Sequence, residues 1–132
     1  MTQPDHHPYK REKPWGHELW WGQHSGKYLG KLIYIKSGEQ LSLHYHERKE
    51  ETMYVHKGIM EITVYPTIKD GGEFRSTMGK SYNMHPGETI HIPPYIPHTM
   101  EAVSGDVEMF EVSTCEMEDS IRLQDYYGRD VP

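Results

Sequence analysis

Apolar positions in this chain fall in short stretches, most of them alternating with polar residues every second position. Such segments occupy 28–36, 40–46, 51–56, 59–65, 89–92, 97–103 and 107–114. Turn-forming residues bound them: Ser37-Gly38, Lys57-Gly58, Asp70-Gly71-Gly72, Pro86-Gly87, Pro93-Pro94 and Ser104-Gly105-Asp106. A period of two sends alternate side chains to opposite faces of a strand. Many short strands with regular turns predict an all-β sandwich or barrel, and about seven or eight of this size make a small jelly roll. Asp70-Gly71-Gly72 predicts a hairpin turn. The polar, proline-containing residues 1–13 read as a flexible N-terminal arm, which leaves one barrel domain with its C-terminal tail over 14–132. Helix is expected only in that tail, over about Asp119–Tyr127.

Within 40–46, Gln40, Ser42, His44 and His46 share one face, and Leu41, Leu43 and Tyr45 share the other. The apolar three need cover, from the Trp15–Trp21 segment or from a second copy of the chain. A homodimer is the expectation, because a twofold partner readily closes an apolar outer face. Met53, Met60, Met84, Met100 and Met109 lie on strand-like segments and are expected to fill the interior. Trp15, Trp20 and Trp21 are expected to pin the first strand to the core, and Tyr34, Tyr54, Tyr65 and Tyr82 to line the cavity or close strand edges.

Composition narrows the functional classes. The chain has 132 residues, enough for one domain that buries roughly two-thirds of its unfolded surface. A formal net charge of −6 argues against nucleic acid as a partner, since phosphate binding needs a concentrated basic surface. No apolar stretch approaches the roughly 20 residues of a membrane span, and Met1–Arg11 lacks the apolar region of a signal peptide. The sole cysteine, Cys115, cannot form an internal disulfide, which suits a reducing, cytoplasmic setting. It has no basic neighbour in sequence to activate it as a thiolate.

Ten histidines are many for this length, and their spacing carries the chemistry. Gly38 to Gly58 reads GEQLSLHYHERKEETMYVHKG, with His44, His46 and Glu51 at H-x-H-x4-E spacing. His44 and His46 are two apart and present both imidazoles to one side of a strand. Glu51 lies at an odd offset and joins them only if Glu47-Arg48-Lys49 bends the chain into a second strand. Further on, Pro93, Pro94 and Pro97 stiffen a loop that ends at His98, the expected fourth ligand. Three imidazoles and a carboxylate suit a divalent transition metal: Zn, Mn, Fe, Ni or Co. His85 and His91 are read as surface or structural residues in the first instance.

Gly38-x5-His44-x-His46-x4-Glu51-x6-Gly58, with Pro86-Gly87-Glu88 and then His98, resembles the two motifs of the cupin superfamily. Lys13-Pro14-Trp15-Gly16, Gly38 to Leu43, Glu111-Val112 and Ile121 to Arg129 narrow this to the isomerase cupin of type II phosphomannose isomerases, over about residues 13–129. In those bifunctional proteins a mannose-1-phosphate guanylyltransferase domain comes first; this chain has none, so it is expected to be a stand-alone cupin. The family usually has Gln at the position of His44, and Arg, Glu, His and Trp where this chain has Lys49, Glu51, Thr52 and Met53. Lys49 makes weaker bidentate contacts than Arg, and Met53 offers no flat surface for a sugar ring.

The resemblance implies an aldose–ketose isomerase of the mannose-6-phosphate type, acting on a sugar or sugar phosphate. A metal would polarise the carbonyl and the adjacent hydroxyl, and a base must shuttle a proton between neighbouring carbons. His91 and Glu111 are the catalytic candidates; Lys49, Arg122 and Arg129 are the candidates for an anionic substrate group. Two alternatives are a small Fe/Mn cupin dioxygenase and a non-catalytic sugar- or metabolite-binding cupin.

Overall fold

The computed structural model describes residues 7–24, 26–70, 73–76, 78–116 and 119–132. Among these it is all strand: β1 (Tyr9–Lys13), β2 (Gly16–His24), β3 (Tyr28–Ile35), β4 (Leu43–His46), β5 (Glu51–Lys57), β6 (Met60–Val64), β7 (Thr67–Asp70), β8 (Glu73–Ser76), β9 (Lys80–Met84), β10 (Thr89–Ile92), β11 (His98–Ala102), β12 (Val107–Ser113) and β13 (Ser120–Gln124). They form an antiparallel six-stranded sheet in the order β1-β2-β3-β12-β5-β10 and an antiparallel five-stranded sheet in the order β13-β4-β11-β6-β9. β7 and β8 make a separate ribbon in which Asp70 pairs with Glu73. The expected hairpin tip, Gly71-Gly72, lies outside the described residues.

The two sheets enclose one core. Ile33 and Ile35 of β3, Val55 of β5, Ile62 of β6 and Val107 of β12 are buried in it, together with all five methionines expected there. Gly58, between β5 and β6, has φ +82° and closes against the backbone of Asp106, so a side chain at this turn meets both strain and a clash.

Four sequence expectations change. Tyr9–Lys13 is not a loose arm but the edge strand β1, paired with β2 from Tyr9↔Trp20 to Lys13↔Gly16; residues 1–6 lie outside the described set. The tail forms β13 where a helix was expected, because Ser120, Ile121 and Arg122 pair with His46, Tyr45 and His44. A helix of two turns has little to offset its nucleation cost, whereas β4 offers an open ladder edge.

The alternation expected over 40–46 holds only from Leu43. Ahead of it, Gln40 makes an isolated bridge to Glu101, and Leu41 turns into the core. Tyr45 stacks on Tyr95 with ring centroids 6.0 Å apart. The side chains that needed a cover are met largely by the chain itself, so this argument for a twofold partner falls away. Trp15 enters the core as expected, Trp20 is buried, and Trp21 is half exposed. Tyr54 and Tyr82 are exposed on the outside, and Tyr34 donates to Asp106.

Candidate metal centre

The inward faces of the strands turn from apolar to polar towards one end. On β12 the inward series Val107, Met109 ends in Glu111; on β3, Ile35, Ile33 is followed by Lys31. Register aligns these positions in one row across the sheet: Trp20, Lys31, Glu111 and Met53. Opposite, the second sheet carries the row His98, His44, Arg122 across β11, β4 and β13. Between the two lies a cavity of about 260 Å³. That is near the lower limit of roughly 300 Å³ for ligand pockets and sized for a small metabolite.

Side-chain nitrogens of His44, His46 and His98 lie within 4.8 Å of one another. Each is placed by local chain chemistry. The H-x-H alternation puts His44 and His46 on one face of β4. Asp119, buried just before β13, accepts the backbone N–H groups of Arg48 and Lys49, both at 2.7 Å, and holds the bend that brings Glu51 back. The proline loop is tied to β4 by the Tyr95 N–H, which donates to the His46 carbonyl at 2.7 Å; Tyr95 itself takes φ 63°.

The donor set fits a cation. A carbonyl can only accept, so His98 Nδ1 carries the proton it donates to the Ile96 carbonyl at 2.9 Å. His44 Nδ1 likewise donates to the Ser42 carbonyl at 2.9 Å. In the neutral rings this leaves an Nε2 lone pair, the outer-sphere arrangement that orients metal-bound imidazoles. His98 Nε2 faces Glu51 Oε1 at 3.1 Å, and His46 Nε2 lies 3.7 Å from the same oxygen. His98 Nε2, Glu51 Oε1 and His46 Nδ1 are all buried without a hydrogen-bond partner among the described residues. An imidazole nitrogen and a carboxylate oxygen this close are unfavourable unless a proton or a metal ion lies between them. Burial, with the Lys49 ammonium nearby, pushes the His46 imidazole down to about 4, so at neutral pH one of its ring nitrogens is free to bind metal.

Beside this cluster, Lys49 bridges two buried carboxylates, Glu51 at 3.3 Å and Glu111 at 3.1 Å. Lys49 is 6 % exposed, Glu51 2 % and Glu111 3 %. Burial and the charge of Glu51 push the Glu111 carboxyl up to about 7, whereas its two carboxylate neighbours outweigh burial and hold the Lys49 ammonium well above its ordinary value. Lys49→Met removes the charge shared by both acids and leaves them facing each other in a dry site. The expected result is a loss of about 3–5 kcal/mol in urea unfolding; a variant as stable as the parent would show that water already reaches the pair.

The other expected site residues divide. Glu111, Arg122 and Arg129 line the cavity with Lys49. His91 does not: Ile90 and Ile92 take the inward positions on β10, and His91 stands exposed 3.4 Å from Glu50. This corrects its reading as a base. His85 is also exposed, paired with Glu88. Sequence reasoning missed Arg11, Lys13, Glu18, Lys31 and Asp119. Arg11 and Lys13 alternate inward on β1, a period-two signal that reading β1 as an arm concealed, and Glu18 and Lys31 line the cavity from β2 and β3.

Residues 31–113 match the family described as Cupin domain. The chain is 28% identical over 108 residues to D-lyxose/D-mannose isomerase of Escherichia coli O157:H7, covering 70% of this chain and 48% of that protein. Among solved structures it is similar to the capsular polysaccharide assembling protein CapF from Staphylococcus aureus, with a TM-score of 0.72, 15% identity, and 89% of this chain against 34% of that one. It is also similar to KdgF from Halomonas sp., with a TM-score of 0.64, 18% identity, and 83% and 88% of the respective chains. At these identities the structural matches speak for the fold alone. The chain spans about half the length of the curated relative it matches.

Proposed function

Since the chain belongs to the cupin domain family, we propose that it is a metal-dependent isomerase of the aldose–ketose type acting on a sugar or sugar phosphate. His44, His46, Glu51 and His98 are the residues that would hold the ion. The observation that carries this reading is the buried pair His98 Nε2 and Glu51 Oε1 at 3.1 Å, with Glu51 lining the same cavity as a carboxyl poised near neutrality, Glu111. The relative named for D-lyxose and D-mannose supports a sugar as substrate.

A divalent ion at this position supplies Lewis-acid polarisation of a carbonyl and its neighbouring hydroxyl. The protein supplies the proton transfers. Glu111, unprotonated, takes the proton from C2 of the aldose and returns it to C1, while the hydroxyl proton passes from O2 to O1. Atoms and charge balance within the substrate and this one carboxyl. Lys49, fixed between Glu51 and Glu111, holds the base in place and keeps two acids tolerable at close range.

The test is turnover by metal-reconstituted protein, with elemental analysis of the protein as purified to choose the ion. D-Mannose, D-lyxose and mannose 6-phosphate are offered, and the ketose products are followed. Conversion of at least one is expected. No conversion of any, or oxygen uptake by the iron-loaded protein in its place, would overturn the isomerase reading.

A further inference from the structure

The cavity is lined by six cationic side chains, and they fall into two groups. Lys31 is matched by Glu18 at 3.5 Å, Lys49 by Glu51 and Glu111, and Arg129 by Asp125 at 2.7 Å. The other three, Arg11, Lys13 and Arg122, have no carboxylate within ion-pair distance among the described residues, although they line the same cavity, as does Glu116. The chain as a whole carries a formal net charge of −6. Uncompensated positive charge collected at one opening of an acidic protein requires an explanation beyond solubility.

The architecture explains how the charges meet. β1 and β13 are the edge strands of their sheets. On β1, Arg11 lies across from Glu18, an inward position, and Lys13 follows two residues later on the same face. Lys10 and Glu12 point the other way and pair with each other at 3.2 Å. On β13, Arg122 lies directly across from His44 and so next to the candidate metal ligands. Trp20 stiffens the β1 side: the Arg11 guanidinium sits 5.1 Å from its ring centroid and the Lys31 ammonium 4.7 Å. The tail is strapped down as well, since Tyr127 donates to Glu39 at 2.5 Å and Asp125 accepts three hydrogen bonds from Arg129. Burial lowers the Lys13 ammonium against the opposing pull of Glu18, and the like charges of Arg11, Lys31 and Arg129 lower it further.

The geometry points to an anion subsite in this cavity, in which Arg11 and Lys13 of β1 and Arg122 of β13 grip a phosphate or carboxylate carried by the substrate whose carbonyl enters beside His44 and His46. This deepens the isomerase reading and rests on it for what the inner end of the substrate does. It assigns to the N-terminal edge strand a role in choosing charged over neutral sugars, with Arg11 as a planar donor fork and Lys13 as a point charge.

The experiment is calorimetric titration of the metal-loaded protein with inorganic phosphate, mannose 6-phosphate, mannuronate and mannose. At least one anionic sugar is expected to bind at least about tenfold tighter than mannose. Which one does separates a phosphate-ester source from a carboxylate source. In the R11A/K13A variant that advantage is expected to vanish with the metal content unchanged, and in R11K/K13R most of it to return. Equal binding of charged and neutral sugars, or an advantage that survives in R11A/K13A, would overturn the subsite. An anion advantage that the variant loses, without isomerisation of any sugar, would leave the subsite standing and remove the isomerase reading. Turnover of mannose with no anion advantage would do the reverse.

Discussion

His98→Ala is expected to leave the protein unable to retain a divalent metal through purification. His98 is wholly buried, and its Nδ1–H bond to the Ile96 carbonyl aims Nε2 at Glu51. Disturbing an outer-sphere partner of a metal ligand already costs about 10–100-fold in affinity; deleting the ligand itself costs more. Two measurements check this. Elemental analysis should find near-equimolar metal in the parent and almost none in the variant. Added metal should raise the Tm of the apo parent, because an ion that binds only the folded state stabilises it by mass action, and should leave the variant where it was. Glu51→Ala should behave alike. His91→Ala is the control: that imidazole is exposed and paired with Glu50, and its loss should change neither readout. Full metal content in His98→Ala would remove the proposed centre.

Glu111→Gln should cost turnover and spare the metal. The amide is nearly the same size and can still accept from Ser113, which donates to Glu111 at 3.2 Å, but it cannot take a proton. Loss of a positioned general base typically lowers kcat by about 10²–10⁴-fold. The pH profile distinguishes this from mere disturbance of packing. A base must be unprotonated to act, and Glu111 is pushed up to about 7 by burial and by the charge of Glu51. The parent rate should therefore climb as pH rises through about 7, and the residual rate of Glu111→Gln should lack that limb. A variant with the parent's rate and profile would clear Glu111 of the role.

Some of this site is legible in the sequence alone. The H-x-H step is decided locally, since two residues on one strand face the same way whatever surrounds them. The return of Glu51 needed only a bend at Glu47-Arg48-Lys49, and the prolines before His98 needed only a stiff loop. The methionines reached the core because apolar surface on alternating strands is buried wherever two sheets meet. His91 and Glu111 were a different problem. Each sits in an alternating strand, so each had two possible faces. Only the packing of β10 and β12 showed that Ile90 and Ile92 claim the interior on one while Val107, Met109 and Glu111 claim it on the other.

β1 escaped notice because an edge strand with mostly exposed side chains has the composition of a loop, and β13 because a short amphipathic run is ambiguous between helix and strand. Lys49 is the sharpest case. Lysine is rarely buried, and nothing next to it in sequence foretold that it would stand between two enclosed carboxylates.

The alternation of residue types along the chain was enough to determine an all-β fold, the positions of most central strands, and the histidines that would share a face, because these depend on backbone geometry over two or three residues. What the closed sandwich alone decided was which charges stand inside and which neighbours they find. That outcome belongs to pairs brought together from distant parts of the chain, such as His98 with Glu51 or Lys49 with Glu111, and their energies exist only once water has been excluded from between them.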